Sequence, residues 1–216
     1  MLKITMINGS PKAKDSSSEA ALQALETVFS DGPLNDSQIT EFDFRKPQLS
    51  VQQMEQLAEH DVWVLAFPLY VDGIPSHVLS CMAQLENYFK EKPQPQVTVY
   101  CLVNCGFYEG EQCGLALEMV ENWCAKSGWQ WGQGVGIGAG GMLPAVKNVP
   151  VGRGPKKNLG KALETLAGNM GSRTGGENIF ITANFPRFAY RFAAEMGWRQ
   201  QVKANGLKVR DLFLRR

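Results

Sequence analysis

Five short runs of this chain read as strands, most of them near-continuously apolar, and a segment with apolar residues at helical spacing follows each of them. The runs cover residues 2–7, 39–44, 61–67, 97–103 and the glycine-rich 129–137; the helical segments cover 19–29, 51–59, 75–89, 111–127 and 156–170. A strand without polar alternation is covered on both faces, which is the situation of a parallel sheet between helical layers. Parallel neighbours need crossover connections, and those are right-handed, so the alternation predicts an α/β fold with a doubly wound five-stranded parallel sheet in the order 2-1-3-4-5. Ligands of such sheets bind beyond the carboxyl ends of the strands, where the order reverses between strands 1 and 3. That rule selects the loops at 8–18, 68–75 and 104–110.

The first of these loops reads Asn8-Gly9-Ser10-Pro11-Lys12 and continues through Lys14 to Ser16-Ser17-Ser18 before a helix. Strand, Gly/Ser loop and helix together aim free N–H groups and hydroxyls at an anion. Serines ahead of a helix also serve as plain N-caps, and the residues alone leave both readings open. A P-loop is excluded, because Gly-x-x-x-x-Gly-Lys-Ser/Thr is absent. The second loop, Pro68-Leu69-Tyr70-Val71-Asp72-Gly73-Ile74-Pro75, suits a flat ring against an ordered turn, with Gly73 permitting close backbone approach. A strand-to-helix turn ending in an N1 proline is the alternative. The third loop, Asn104-Cys105-Gly106-Phe107-Tyr108-Glu109-Gly110, places two aromatics between glycines at a strand exit.

Taken together, Asn8-Gly9-Ser10-Pro11-Lys12, the serine run to Ser18 and Pro68-Leu69-Tyr70-x-x-x-x-Pro75 resemble the flavodoxin-fold NAD(P)H-dependent FMN reductases and quinone reductases, over about residues 1–170. The resemblance implies a flavodoxin-like domain that binds FMN. It implies phosphate contacts from Ser10, Lys12, Ser16, Ser17 and Ser18, and ring contacts from Pro68, Leu69, Tyr70, Val71 and Gly73. Asn104, Cys105, Gly106 and Phe107 would flank the ring's other side. NADPH or NADH would be the hydride donor and a quinone, flavin or similar small molecule the acceptor. The segment from Lys12 to Ser18 is longer than that family's usual version. An electron carrier or flavin-bound sensor on the same fold is the alternative, although such carriers are typically acidic and lack a basic C-terminal lobe. The chemistry would belong to the cofactor, so no catalytic acid or base is expected.

Composition narrows the remaining classes. With 44% hydrophobic and 20% charged residues among 216, the chain is an ordinary globular protein. No run approaches the roughly 18 apolar residues of a membrane helix, and Asn8 to Pro11 breaks the first apolar run before a signal peptide could form, so a cytoplasmic location is expected. The five cysteines contain no Cys-x-x-Cys pair, and His60 and His77 are the only histidines, so neither a metal centre nor an iron–sulfur cluster is expected. His77 is expected in a surface or capping role.

Charge is segregated. Residues 1–136 carry 8 Lys/Arg against 17 Asp/Glu, and residues 137–216 carry 14 against 4, net charges of −9 and +10. Lys147, Arg153, Lys156 and Lys157 are candidates for an NADPH 2′-phosphate, with a solvated basic loop and helix start as the equal alternative. Gly136-Ile137-Gly138-Ala139-Gly140-Gly141 formally matches G-x-G-x-x-G, but Pro144 and Pro150 follow and no helix begins there, so a flexible loop beside the flavin is expected rather than a dinucleotide fingerprint. Residues 171–216 read as a helical extension after a hinge at 171–176, with seven of the 21 aromatics and interleaved arginines. It is expected to pack on the domain or on the mate of a homodimer. Contact of its arginines with the cofactor or NAD(P)H phosphates is the second reading; contact with a membrane surface is less favoured, and no nucleic-acid partner is expected.

Overall fold

A computed structural model describes residues 1–30, 32 and 34–214. The chain divides into two compact units, residues 1–184 and residues 185–216. The first unit begins β1 (Lys3–Asn8), α1 (Ser17–Ser30), β2 (Gln38–Asp43), α2 (Val51–Ala58), β3 (Val62–Pro68), α3 (Ser76–Phe89) and β4 (Thr98–Asn104). It continues with α4 (Gly114–Ser127), β5 (Gln130–Ile137), α5 (Lys157–Ser172) and β6 (Ile179–Ile181). All neighbouring strands pair in parallel, in the order β2-β1-β3-β4-β5-β6. The expected order 2-1-3-4-5 is present, but the expected count of five is corrected to six. α5 runs through the expected hinge start to Ser172, and the chain then returns to the sheet, so Ile179–Ile181, assigned from sequence to a helical extension, form an edge strand.

Side chains alternate across the sheet and separate two cores. Val62, Val64 and Ala66 of β3 face α1 and α5, with Leu25, Leu163 and Leu166. Trp63, Leu65 and Phe67 face the opposite layer, with Leu57, Leu85 and Val120 of α2, α3 and α4. Both faces of β3 and β4 are thereby dry, which explains their unbroken apolar sequences. Helix boundaries follow local chemistry. At the start of α2, Ser50 and Gln53 form a reciprocal capping box, and α4 stops where Gly128 takes φ 73°.

The five cysteines are buried and free, and pack as small apolar side chains. Burial pushes the Cys81 thiol up to about 11 and the Cys124 thiol to about 12. Burial likewise raises the Tyr100 hydroxyl to about 12, while that group donates to the carbonyls of Asn169 and Thr174. These groups ionise earlier in the unfolded chain, whose ordinary values are 9.0 for cysteine and 10.0 for tyrosine. Between those values and the raised ones the native state holds more protons than the unfolded state, so stability falls as pH rises. The slope is up to about 1.4 kcal/mol per pH unit for each group. Urea midpoints should therefore drop between about pH 9 and pH 11, and a flat profile would contradict this burial pattern.

The second unit contains α6 (Arg187–Ala204) and a 3-10 turn at Val209–Phe213. Glu195 pairs with Arg191 at 3.3 Å and with Arg199 at 3.8 Å along the helix surface, and the Asp211 carboxylate accepts from the Lys208 N–H at 2.8 Å. Exposed pairs of this kind contribute only tenths of a kcal/mol. Among the described residues, no helix is long and apolar enough to cross a membrane.

Candidate functional site

The carboxyl ends of β1, β3 and β4 lie side by side, with Asn8 opposite Ala66 and Pro68 opposite Asn104. This brings the loops at 8–18, 68–75 and 104–110 to one end of the sheet. Asn104 joins them. Its Nδ2 donates to Ser18 Oγ at 2.8 Å and to the Phe67 carbonyl at 3.1 Å, and its own carbonyl accepts from the Leu69 N–H at 2.8 Å. With Asn104 only 4% exposed and Ser18 1% exposed, these bonds are formed out of water. Such a polar network fixes geometry and is costly to leave half satisfied.

The first loop is built from short local bonds. Asn8 Oδ1 accepts from the Ser10 N–H at 3.0 Å, and Ser10 Oγ accepts from the Lys12 N–H at 3.3 Å. Ser16 Oγ accepts from the Glu19 N–H at 3.0 Å, and Glu19 Oε2 reaches back to the Ser16 N–H at 3.4 Å. Ser16 thus carries out the capping role that was one of its two readings, and Ser18 Oγ is engaged by Asn104. Among the described residues, the N–H groups of Ser17 and Ser18 have no acceptor, so two donors of the α1 terminus remain for an outside anion. Lys12 and Lys14 are exposed beside them. Farther along the loop, Arg45 donates to the Ala13 carbonyl at 3.4 Å, and Lys147 pairs with Asp15 at 3.8 Å.

Gly9 is required at the root of this loop. Its N–H donates to the Ala66 carbonyl at 2.7 Å, and an added Cβ would lie 2.8 Å from Val78 Cγ2 and 3.1 Å from Phe67 Cβ. His77, expected in a surface or capping role, is half-buried, and its Nε2 lies 3.0 Å from the Gly9 carbonyl. With Nε2 protonated it donates there and fixes the loop to the first turn of α3.

The second loop is a tight hairpin. Tyr70 and Gly73 exchange two backbone bonds, of 3.0 and 3.1 Å, around Val71 and Asp72, which have φ values of 49° and 59°. Two successive positive φ values define a type I′ turn, whose usual occupants are Asn and Gly. A β-branched residue in this conformation is an outlier costing about 1–2 kcal/mol. Val71 is fully exposed, so no burial offsets that cost. Uncompensated strain of this kind clusters at functional loops. Val71→Gly should stabilise the protein by about 0.5–1 kcal/mol after the entropy of glycine is subtracted, read as a higher melting temperature. Tyr70, at 48% exposed, and Pro68 and Leu69, both half-buried, line the approach to this turn.

The third loop leaves open space at Gly106, where an added Cβ would meet nothing within 4 Å, and it exposes Phe107 to 53%. Cys105 turns inward instead. Its Sγ lies 3.5 Å from the Glu109 carbonyl and 3.7 Å from that of Phe107, and it is 3% exposed. A hydrogen bond with the Cys113 thiol lowers the Cys105 thiol below its ordinary range against the opposing effect of burial, and the same bond raises Cys113.

The loop is pinned from below by the segment that matched G-x-G-x-x-G. Ala139 (φ 54°) donates to the Phe107 carbonyl at 2.5 Å and Gly140 to the Cys105 carbonyl at 2.7 Å. Added Cβ atoms at Gly136 and Gly138 would lie 2.6 Å from the Gly110 carbonyl oxygen and 2.2 Å from that of Tyr108. These glycines let the third loop settle directly on β5. The segment expected as a flexible loop is therefore a bonded support.

No protein-family model matches the chain, and no curated protein matches it. Among solved structures, the azoreductase from Bacillus anthracis str. Sterne is similar over 80% of this chain and 100% of that chain, with 14% identity and a TM-score of 0.54. An FMN-dependent NADH-azoreductase from Bacillus anthracis str. Ames Ancestor, solved in complex with FMN, is similar over 78% of this chain and 99% of that one, at 13% identity and a TM-score of 0.53. RosB with its bound intermediate 8-demethyl-8-formylriboflavin-5'-phosphate is similar over 80% and 75%, at 14% identity and a TM-score of 0.53. At these identities the likeness establishes a shared fold.

Proposed function

We propose that this protein is an FMN-dependent oxidoreductase that takes a hydride from NADPH or NADH and delivers reducing equivalents to a quinone, flavin or similar small acceptor. The observation that carries the reading is the convergence at Asn104 of a serine loop with free helix N–H groups and two loops bearing exposed aromatics. The proteins that share the fold include one named as an FMN-dependent NADH-azoreductase with FMN bound and one with a riboflavin-5'-phosphate derivative bound. FMN joins a phosphate to a flat ring, and the residues present suit both parts.

In this reading the N–H groups of Ser17 and Ser18, with the Ser10 and Ser16 hydroxyls and the charge of Lys12, hold the phosphate. The strained turn at Tyr70–Gly73 offers its backbone to the ring edge, with Pro68, Leu69 and Val71 beside it. Gly106 and Phe107 bound the other side, Gly106 by leaving room and Phe107 by presenting an aromatic surface, while Asn104 and Cys105, with side chains turned inward, contribute their backbone. When bound, the flavin supplies the hydride-accepting chemistry, while the protein orients the ring and tunes its surroundings. Asn104 acts by positioning, since its side chain is spent on Ser18 and Phe67.

Rapid anaerobic mixing of FMN-loaded protein with NADPH or NADH tests the reading. Prompt bleaching of the bound flavin, and its recovery on adding a quinone, are the expected results. Bound flavin that stays oxidised with both nucleotides would overturn the enzymatic part and leave an electron carrier or sensor.

A further inference from the structure

Outside the three loops, the described residues of the first unit include one buried ammonium group. Lys156 stands immediately before α5 and is only 8% exposed. Its Nζ donates to the Lys147 carbonyl at 3.3 Å, and among the described residues no carboxylate lies within ion-pair distance of it. Burial lowers its affinity for the proton, as expected of a cation removed from water without a counter-charge. A buried cation of this kind is costly unless paired.

The surroundings of Lys156 show where a counter-charge would enter. Lys156 lines a cleft of 290 Å³ between α1 and the 147–151 segment, with Gln23, Ala24, Thr27, Asn148 and Val149 among its walls. Thr27, Pro150 and Val151 are shared with an adjoining cleft of 420 Å³ whose walls include Val28, Ala167 and one carboxylate, Glu164, at the end away from Lys147 and Lys156. One end therefore offers a cation with amide side chains, and the rest offers mainly apolar surface. Ligand sites combine apolar walls with a few placed polar groups in this way, and the volumes suit a small ligand. The cleft runs along the flank of α1, whereas the loops at 8–18, 68–75 and 104–110 close the strand ends.

We propose that this cleft binds a small amphiphilic organic anion, its acidic headgroup on Lys156 and its apolar body along Pro150 and Val151 towards Val28. A carboxylate and a phosphomonoester share the required chemistry. The sequence had offered Lys156 to an NADPH phosphate together with Lys147, Arg153 and Lys157; its burial in this cleft gives it a separate ligand. The proposal does not rest on flavin binding: its contacts are Lys156, Pro150, Val151 and Val28, none of them in the three loops, although Lys147 on the cleft wall pairs with Asp15 of the first loop.

Methyl-resolved NMR titration of the full chain tests it, with hexanoate and hexyl phosphate as probes and hexanol and inorganic phosphate as controls. Saturable shifts at the Ala24, Val149 and Val151 methyls are expected with at least one of the two amphiphilic anions, and the stronger binder identifies the headgroup class. Hexanol and inorganic phosphate should each bind at least about tenfold more weakly, since each lacks one half of the ligand. Lys156→Met should weaken the anion by about tenfold or more, and Gln23→Glu, an exposed change that places a carboxylate in the cleft, should weaken it several-fold. Should Lys156→Met fold poorly, Gln23→Glu decides the question. The proposal falls if neither anion moves these methyls saturably, if hexanol or inorganic phosphate binds as well as the anions, or if Gln23→Glu binds like the parent chain.

Discussion

Gly138→Ala is expected to destabilise the protein by about 3 kcal/mol and to abolish flavin binding, although it adds a single methyl group. The new Cβ would stand 2.2 Å from the Tyr108 carbonyl oxygen, 2.7 Å from the Gly110 nitrogen and 2.8 Å from the Glu109 carbonyl carbon. All three are backbone atoms, so no side-chain rotation relieves the overlap. Either the third loop lifts off β5, or Gly138 moves and gives up its bond to the Ile181 carbonyl at 2.9 Å. Lifting the loop would displace Cys105 to Phe107 as well, because Ala139 and Gly140 hold their carbonyls. Gly141→Ala is the internal control. Gly141 has no neighbour within 4 Å of an added Cβ, and the change should stay within about 0.5 kcal/mol. Urea unfolding of the two variants measures both, and equal stabilities would mean that the close packing of loop on strand is not what holds this site.

Asn104→Leu is expected to cost about 2–4 kcal/mol and to weaken FMN binding strongly with the sheet intact. Leucine fills a similar volume but donates nothing, which leaves the buried Ser18 hydroxyl and the Phe67 carbonyl without the partners they have at 2.8 and 3.1 Å. The cost comes from desolvated acceptors rather than from a cavity. Adding Ser18→Ala removes one of those acceptors, so the double variant should be more stable than the sum of the single effects implies, by about 1 kcal/mol. Strict additivity in that cycle would show that the bond between the first and third loops is not formed in solution.

The frame of the fold was legible because its signal is redundant. The buried strands carry six to eight residues each, and helices such as α1 and α5 add apolar faces of their own. β6 escaped because it has three residues, Ile179–Ile181, too few for a period, and pairs with β5 over only those three. Phe180 then reads as one more aromatic of the C-terminal segment, although its ring lies 2.7 Å from where a Cβ at Gly136 would be.

At the site, residue types were legible and partnerships were not. Four serines and two glycine-bearing loops mark a place where backbone meets a ligand, but nothing local shows that Ser18 is held by a residue 86 positions away. Nor does Val71 announce a left-handed turn, since a β-branched side chain argues against one. Glycines at 136 and 138 match a dinucleotide loop by spacing alone, and the context points instead to a flexible loop. Their actual role, contact between two backbones, depends on a segment near Gly110 that spacing within 136–141 cannot report.

The most direct measurement is a titration of FMN with the purified protein, followed by quenching of the flavin's own fluorescence, with Asn104→Leu run in parallel. Saturable binding of one FMN per chain by the parent protein, and affinity at least about tenfold lower in the variant, are the predicted results. FMN fluorescence left unchanged at saturating protein would contradict the assignment of these three loops to a flavin.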